Sequence, residues 1–117
     1  MTAPFVWFDL TVAEGVQVAG FYRNLFGWTD GPGMGGYESW FVDGQRPWAG
    51  VSVDAARAGR WVPYVPVDDL AEAVQRAVEL GGRVVRTEQV GPGGTSVLVA
   101  DPAGALVALF VPAGPAA

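Results

Sequence analysis

Cysteine and histidine are both absent from the 117 residues. Without thiols there are no disulfides, zinc–thiolate sites, iron–sulfur clusters or thiol nucleophiles. Without imidazole the commonest general base and the commonest metal ligand are also lost, and most triad and metalloenzyme chemistry with them. Lysine is missing too, so the seven basic residues are all arginine, set against twelve acids for a net charge of −5. Such a surface repels phosphate backbones and anionic membranes, and no arginine run offers a local exception; neither nucleic acid nor membrane is expected as a partner. Charged residues amount to 16%, which argues against a disordered, solvated chain. Long hydrophobic runs are also lacking: the longest uncharged stretch, residues 102–117, is broken by three prolines and two glycines. The N-terminus has no positive n-region. The expectation is a soluble, cytoplasmic protein.

Half of the residues are apolar, enough for one domain with a core of its own. The sequence resembles itself at an offset of 55 residues, with Val12, Leu25 and Gly27 falling on Val67, Leu80 and Gly82. One repetition is too few for a solenoid and points to a duplicated supersecondary unit. In the first copy, Phe5 to Val12 reads as a strand. Val16 to Phe26 carries apolar residues at helical spacing (Val18, Phe21, Tyr22, Leu25), with Gly27 placed to end the helix. Short strands follow at Trp28–Asp30, Tyr37–Val42 and Trp48–Val53. The second copy repeats the order: a strand at Trp61–Val67, a helix opened by Asp69 and Glu72, and strands at Arg83–Val90, Thr95–Ala100 and Ala105–Val111. The turn Asp101-Pro102-Ala103-Gly104 has proline and glycine where a type I turn favours them. The modules are therefore expected at residues 5–53 and 61–112, with a connector at 54–60, each in the order βαβββ.

The string Phe21-Tyr22-Arg23-Asn24-Leu25-Phe26-Gly27-Trp28 resembles the FYxxLFGW signature of the vicinal oxygen chelate superfamily, the glyoxalase, bleomycin-resistance and extradiol-dioxygenase group. Trp61 to Asp69, the Leu80-Gly81-Gly82 helix end and the Asp101–Gly104 hairpin match it in order, over residues 5 to 112. The resemblance implies an α+β fold whose tandem modules form an open cup-shaped sheet with helices outside, in a homodimer. Family enzymes hold a divalent ion in the cup with His, Glu or Gln from four positions. Here those positions fall at Trp7, near Gly50, at Val62 and at Ala108. Indole, hydrogen and aliphatic groups cannot ligate an ion, so neither metal nor other cofactor is expected.

Strand alternation places Trp7 and Asp9 on one face, with Phe8 and Leu10 packed towards a helix. The same parity brings Tyr64, Phe110 and Ala108 inward, and Trp48, Gly50 and Ser52 are taken to share that face. The expected ligand-binding set is Trp7, Asp9, Trp48, Ser52, Tyr64 and Phe110, a mostly aromatic wall suited to a flat, partly apolar small molecule. Each tryptophan also has a plain reading as core filler; Trp28 is assigned a structural role and Trp61 is expected to pack against a helix, and Asp9 could be satisfied by strand backbone or an arginine. Arg23, Arg76, Arg83 and Arg86 read as solvated charges. Three functions are compatible with this reading. The first is metal-independent sequestration or delivery of such a ligand, as in antibiotic resistance. The second is a metal-free isomerase, cyclase or lyase with Asp9 as base and Tyr64 as proton donor. The third is an interaction module whose cup is filled by its own side chains.

Overall fold

The computed structural model of the chain describes residues 5–91 and 93–113. Pro92, between the strands read at Arg83–Val90 and Thr95–Ala100, lies outside the described residues. The first module holds β1 (Trp7–Val12), α1 (Ala19–Phe26), β2 (Thr29–Pro32), β3 (Tyr37–Asp43) and β4 (Arg46–Val53). A 3-10 turn (Ala55–Arg57) leads to the second: β5 (Arg60–Pro66), α2 (Leu70–Glu79), β6 (Arg83–Gly91), β7 (Gly94–Ala100) and β8 (Leu106–Pro112). This is the expected α+β order, βαβββ written twice. The chain divides into two compact units, one spanning Trp7–Val62 and the other running from Pro63 together with residues 5 and 6. Residue 6 joins the second unit because the Val6 N–H donates to the Tyr64 carbonyl at 3.0 Å.

The repeat in sequence is a repeat of topology. In the first unit the strands lie in the order β2-β3-β4-β1, with β1 parallel to β4 and the other pairs antiparallel. In the second they lie in the order β6-β7-β8-β5, with β5 parallel to β8. Each module thus brings its first strand back beside its fourth, a parallel pairing that requires the intervening helix and hairpin as a crossover.

Local chemistry sets the helix ends. α1 starts at Ala19, later than the apolar spacing suggests, and its N-cap Val18 has no side-chain oxygen to receive a backbone N–H. It stops where Gly27 takes φ 74° and donates its N–H to the Arg23 carbonyl at 2.8 Å. α2 has a true cap: the Asp69 carboxylate accepts the Glu72 N–H at 3.0 Å. In the β7–β8 turn one Asp101 oxygen accepts the N–H groups of both Ala103 and Ala105 at 2.9 Å.

The core of the first unit consists of Leu10, Val12, Phe41, Ala49 and Val51, with Phe8, Val18, Ala19, Tyr22, Trp28 and Trp48 packed against it. Tyr22 stacks on Trp28 with centroids 5.1 Å apart and 9° between planes, and its hydroxyl accepts the Trp61 indole N–H at 3.2 Å. Trp28 and Trp61 therefore have the packing roles read for them. The rest of the motif behaves differently. Phe21, Leu25 and Phe26 remain about 60% exposed, since α1 packs through residues 18, 19 and 22 and turns its neighbouring face outward. Two arginines read as merely solvated make specific contacts. Arg23 pairs with Asp30 at 2.8 Å, and Arg86 donates to the Ser96 hydroxyl and the Thr87 carbonyl, both at 3.0 Å.

Candidate functional site

β1 alternates as the sequence implies. Phe8, Leu10 and Val12 join the core, and Trp7, Asp9 and Thr11 take the other face. On the neighbouring strand Gly50 lies beside Asp9, and Ser52 beside Thr11. β3 brings two further aromatics to this face through an irregularity. Between its pairs Tyr37–Ser52 and Ser39–Val51, β3 advances two residues while β4 advances one, so Glu38 is a bulge. The bulge reverses the parity of Tyr37 and sets it on the same side as Trp40, whose register partner is Gly50.

These residues form one constellation. A single Asp9 oxygen, Oδ1, accepts both the Trp7 indole N–H at 2.7 Å and the Tyr37 hydroxyl at 2.6 Å. The three rings meet edge to face, at 5.6 Å for Trp7–Tyr37, 6.2 Å for Trp7–Trp40 and 6.4 Å for Tyr37–Trp40. All four side chains are half-buried. Hydrogen bonds to a charged acceptor are stronger than neutral ones, so the carboxylate fixes the orientation of two rings at once. The Trp40 indole N–H is buried and has no hydrogen-bond partner. Below the rings, Gly50 leaves the space they use: a Cβ there would stand 2.5 Å from Tyr37 Cδ1 and 3.0 Å from Trp7 Cζ2.

The structure thus brings Trp7, Asp9 and Ser52 to one face and adds Tyr37 and Trp40, which strand parity had missed. Asp9 accepts from an indole and a phenol. Trp48 is a correction. Between the pairs Phe41–Ala49 and Val42–Pro47, β4 advances two residues against one, so Trp48 is itself bulged and leaves the face of Gly50 and Ser52. Its ring packs instead on Phe41, Trp28 and Phe8, at 5.8, 4.8 and 6.3 Å. In the second unit Tyr64 and Phe110 meet edge to face at 5.8 Å, as their shared parity requires.

Residues 6–110 match the model of the glyoxalase-like domain. The chain belongs to the glyoxalase-like family. This glyoxalase-like domain is 32% identical to the anthracycline biosynthesis protein DnrV of Streptomyces peucetius, over 89% of the chain and 45% of the relative. It therefore spans less than half the length of that relative. Among solved structures it superposes on the Mn(II)-bound glyoxalase of Novosphingobium aromaticivorans with a TM-score of 0.59 at 18% identity, covering 97% of this chain and 42% of the other. A glyoxalase/bleomycin resistance/dioxygenase superfamily member from Vibrio splendidus gives 0.58 at 12% identity, covering 88% and 94%. These likenesses agree with the superfamily resemblance carried by the FYxxLFGW string.

The superfamily implies a divalent ion held at the positions of Trp7, Gly50, Val62 and Ala108. Trp7 donates its only polar hydrogen to Asp9 and has no lone pair to offer. The space above Gly50 is taken by the Tyr37 and Trp7 rings. Val62 and Ala108 are buried apolar residues. Among the described residues no three His, Cys, Asp or Glu side chains gather in one place. The residues at these four positions do not fit a divalent ion.

Proposed function

We propose that this domain binds a flat, largely aromatic small molecule without a metal, against the ring face of Trp7, Tyr37 and Trp40. The observation that carries the reading is the double hydrogen bond on Asp9 Oδ1, which holds two rings in fixed orientations beside a third. Rings immobilised before binding lose little entropy on binding, and each offset or edge contact adds about 0.5–1.5 kcal/mol beyond area burial. Two or three such contacts with a fused-ring ligand support roughly micromolar affinity. The curated relative is named for anthracycline biosynthesis, and anthracyclines carry flat, fused, oxygen-bearing rings. Sequestration or delivery of such a compound, as in antibiotic self-protection, is the role that fits a site built of rings.

The enzymatic reading is the second choice. A general base must reach the proton it abstracts, and Asp9 Oδ1 is already engaged by two neighbouring donors. If Asp9 serves as a base, Tyr37, at 2.6 Å, is its proton partner. Titration of chelator-treated protein with 1,4-dihydroxyanthraquinone, followed by tryptophan fluorescence, tests the proposal. Saturable quenching, weakened at least tenfold in Trp7→Leu and with the ligand recovered unchanged, supports binding. Quenching that does not saturate refutes it, and a converted ligand selects the enzymatic reading.

A further inference from the structure

The first unit has a concave feature on the sheet face opposite Trp7. A surface cleft of about 470 Å³ is lined by Gly27, Trp28, Thr29, Val42, Asp43, Gly44 and Trp48. It arises where the C-terminus of α1 meets the β3–β4 hairpin. The bulge that removes Trp48 from the Gly50 face delivers its indole here, 4.8 Å from Trp28 and at 87° to it. Two perpendicular indoles form a corner, and both residues are half-buried. Asp43, an exposed residue, and Thr29 also line the cleft. Gly27 and Gly44, at φ 74° and 63°, put no side chain over the opening.

We infer that this cleft binds a small organic cation, of the methylated or alkylated ammonium class. An indole face attracts a cation through its quadrupole, tryptophan more strongly than any other ring, and two rings at a right angle offer a cation two contacts at once. The Asp43 carboxylate supplies the opposite charge. The chain's net charge of −5 raises the local concentration of cations further. The volume lies within the range of small-molecule sites and holds an ammonium head with its substituents. Arg46, the register partner of Asp43 across the hairpin, is the cation with which the ligand competes. The inference does not depend on the ring face of Trp7, Tyr37 and Trp40, from which the cleft is separated by the sheet.

The test uses choline as the probe and indole ¹⁵N–¹H spectra of the whole chain as the readout. Choline should shift the Trp28 and Trp48 signals saturably, with a dissociation constant of about 1–10 mM, and leave Trp7 and Trp40 unmoved. Its neutral isostere 3,3-dimethylbutan-1-ol should produce no saturable shift. Asp43→Asn, a surface change that leaves the aromatic corner intact, should weaken choline roughly two- to fivefold, and Arg46→Gln should strengthen it by a similar factor. Equal binding of the neutral isostere, indifference to Asp43→Asn, or no saturation up to about 50 mM overturns the inference.

Discussion

Substituting Gly50 by alanine probes the ring constellation with a single methyl group. The added Cβ would lie 2.5 Å from Tyr37 Cδ1, 2.7 Å from Tyr37 Cε1 and 3.0 Å from Trp7 Cζ2. These atoms belong to the near edges of rigid rings, so the Tyr37 ring must swing away as a body. Overpacking of this kind costs about 1–3 kcal/mol. Displacing the ring also breaks the 2.6 Å bond from its hydroxyl to Asp9, and a hydrogen bond to a charged group contributes about 1.5–3 kcal/mol. Against this, alanine in a strand regains about 0.5–1 kcal/mol of backbone entropy that glycine loses. The net is a loss of about 1.5–5.5 kcal/mol. For a chain of this length 1 kcal/mol corresponds to about 4 °C, so the melting temperature should fall by about 6–22 °C. Thermal unfolding followed by circular dichroism measures it. The variant should also lose affinity for 1,4-dihydroxyanthraquinone, and in a Tyr37→Leu background the same substitution should cost far less. A Gly50→Ala protein that melts within about 2 °C of the original, less than 0.5 kcal/mol, refutes the packing argument.

Other perturbations address single links. Tyr37→Phe keeps the ring and removes the hydroxyl; it should destabilise by about 1.5–3 kcal/mol in urea titrations and weaken ligand binding severalfold, because the ring is no longer held to Asp9. The Asp30 carboxyl is held below the usual carboxylate range, chiefly by its hydrogen bond from Arg23. Its stabilising contribution is therefore complete above the unfolded value near pH ~4 and is lost as pH falls through the lower folded value. Asp30→Asn should accordingly be less stable than the original at pH 7, and the difference should close as the pH drops below about 4. A constant difference across that range contradicts the assignment.

Much of the fold was legible because local chemistry and tertiary packing agree. Gly27 and Gly81 both take positive φ at the helix ends they were read to terminate, Asp69 caps α2 through its side chain, and Asp101 closes its hairpin. The FYxxLFGW string located the packed pair Tyr22 and Trp28. The start of α1 was read too early because apolar spacing continues through Val16 and Val18, whereas the helix begins only where the backbone adopts it. The candidate site was half legible. Trp7 and Asp9 follow from simple alternation along β1, which is regular. Tyr37 and Trp48 do not, since each lies at a one-residue slip between β3 and β4, and a slip exchanges the two faces of a sheet. The glycines Gly35 and Gly36 before Tyr37, at φ 64° and 96°, are the sequence signal that this end of β3 is irregular. The Tyr37 hydroxyl as a partner of Asp9 was not read from the sequence, which assigned no face to Tyr37.

The most direct measurement is the indole spectrum itself, which holds one ¹⁵N–¹H signal for each of the five tryptophans. Chelator-treated protein titrated with 1,4-dihydroxyanthraquinone should show saturable movement of the Trp7 and Trp40 signals, with Trp28, Trp48 and Trp61 still, and added Mn(II) should change nothing. Movement confined to the other three indoles, or movement that appears only once Mn(II) is supplied, would contradict a metal-free site of rings held in place by Asp9.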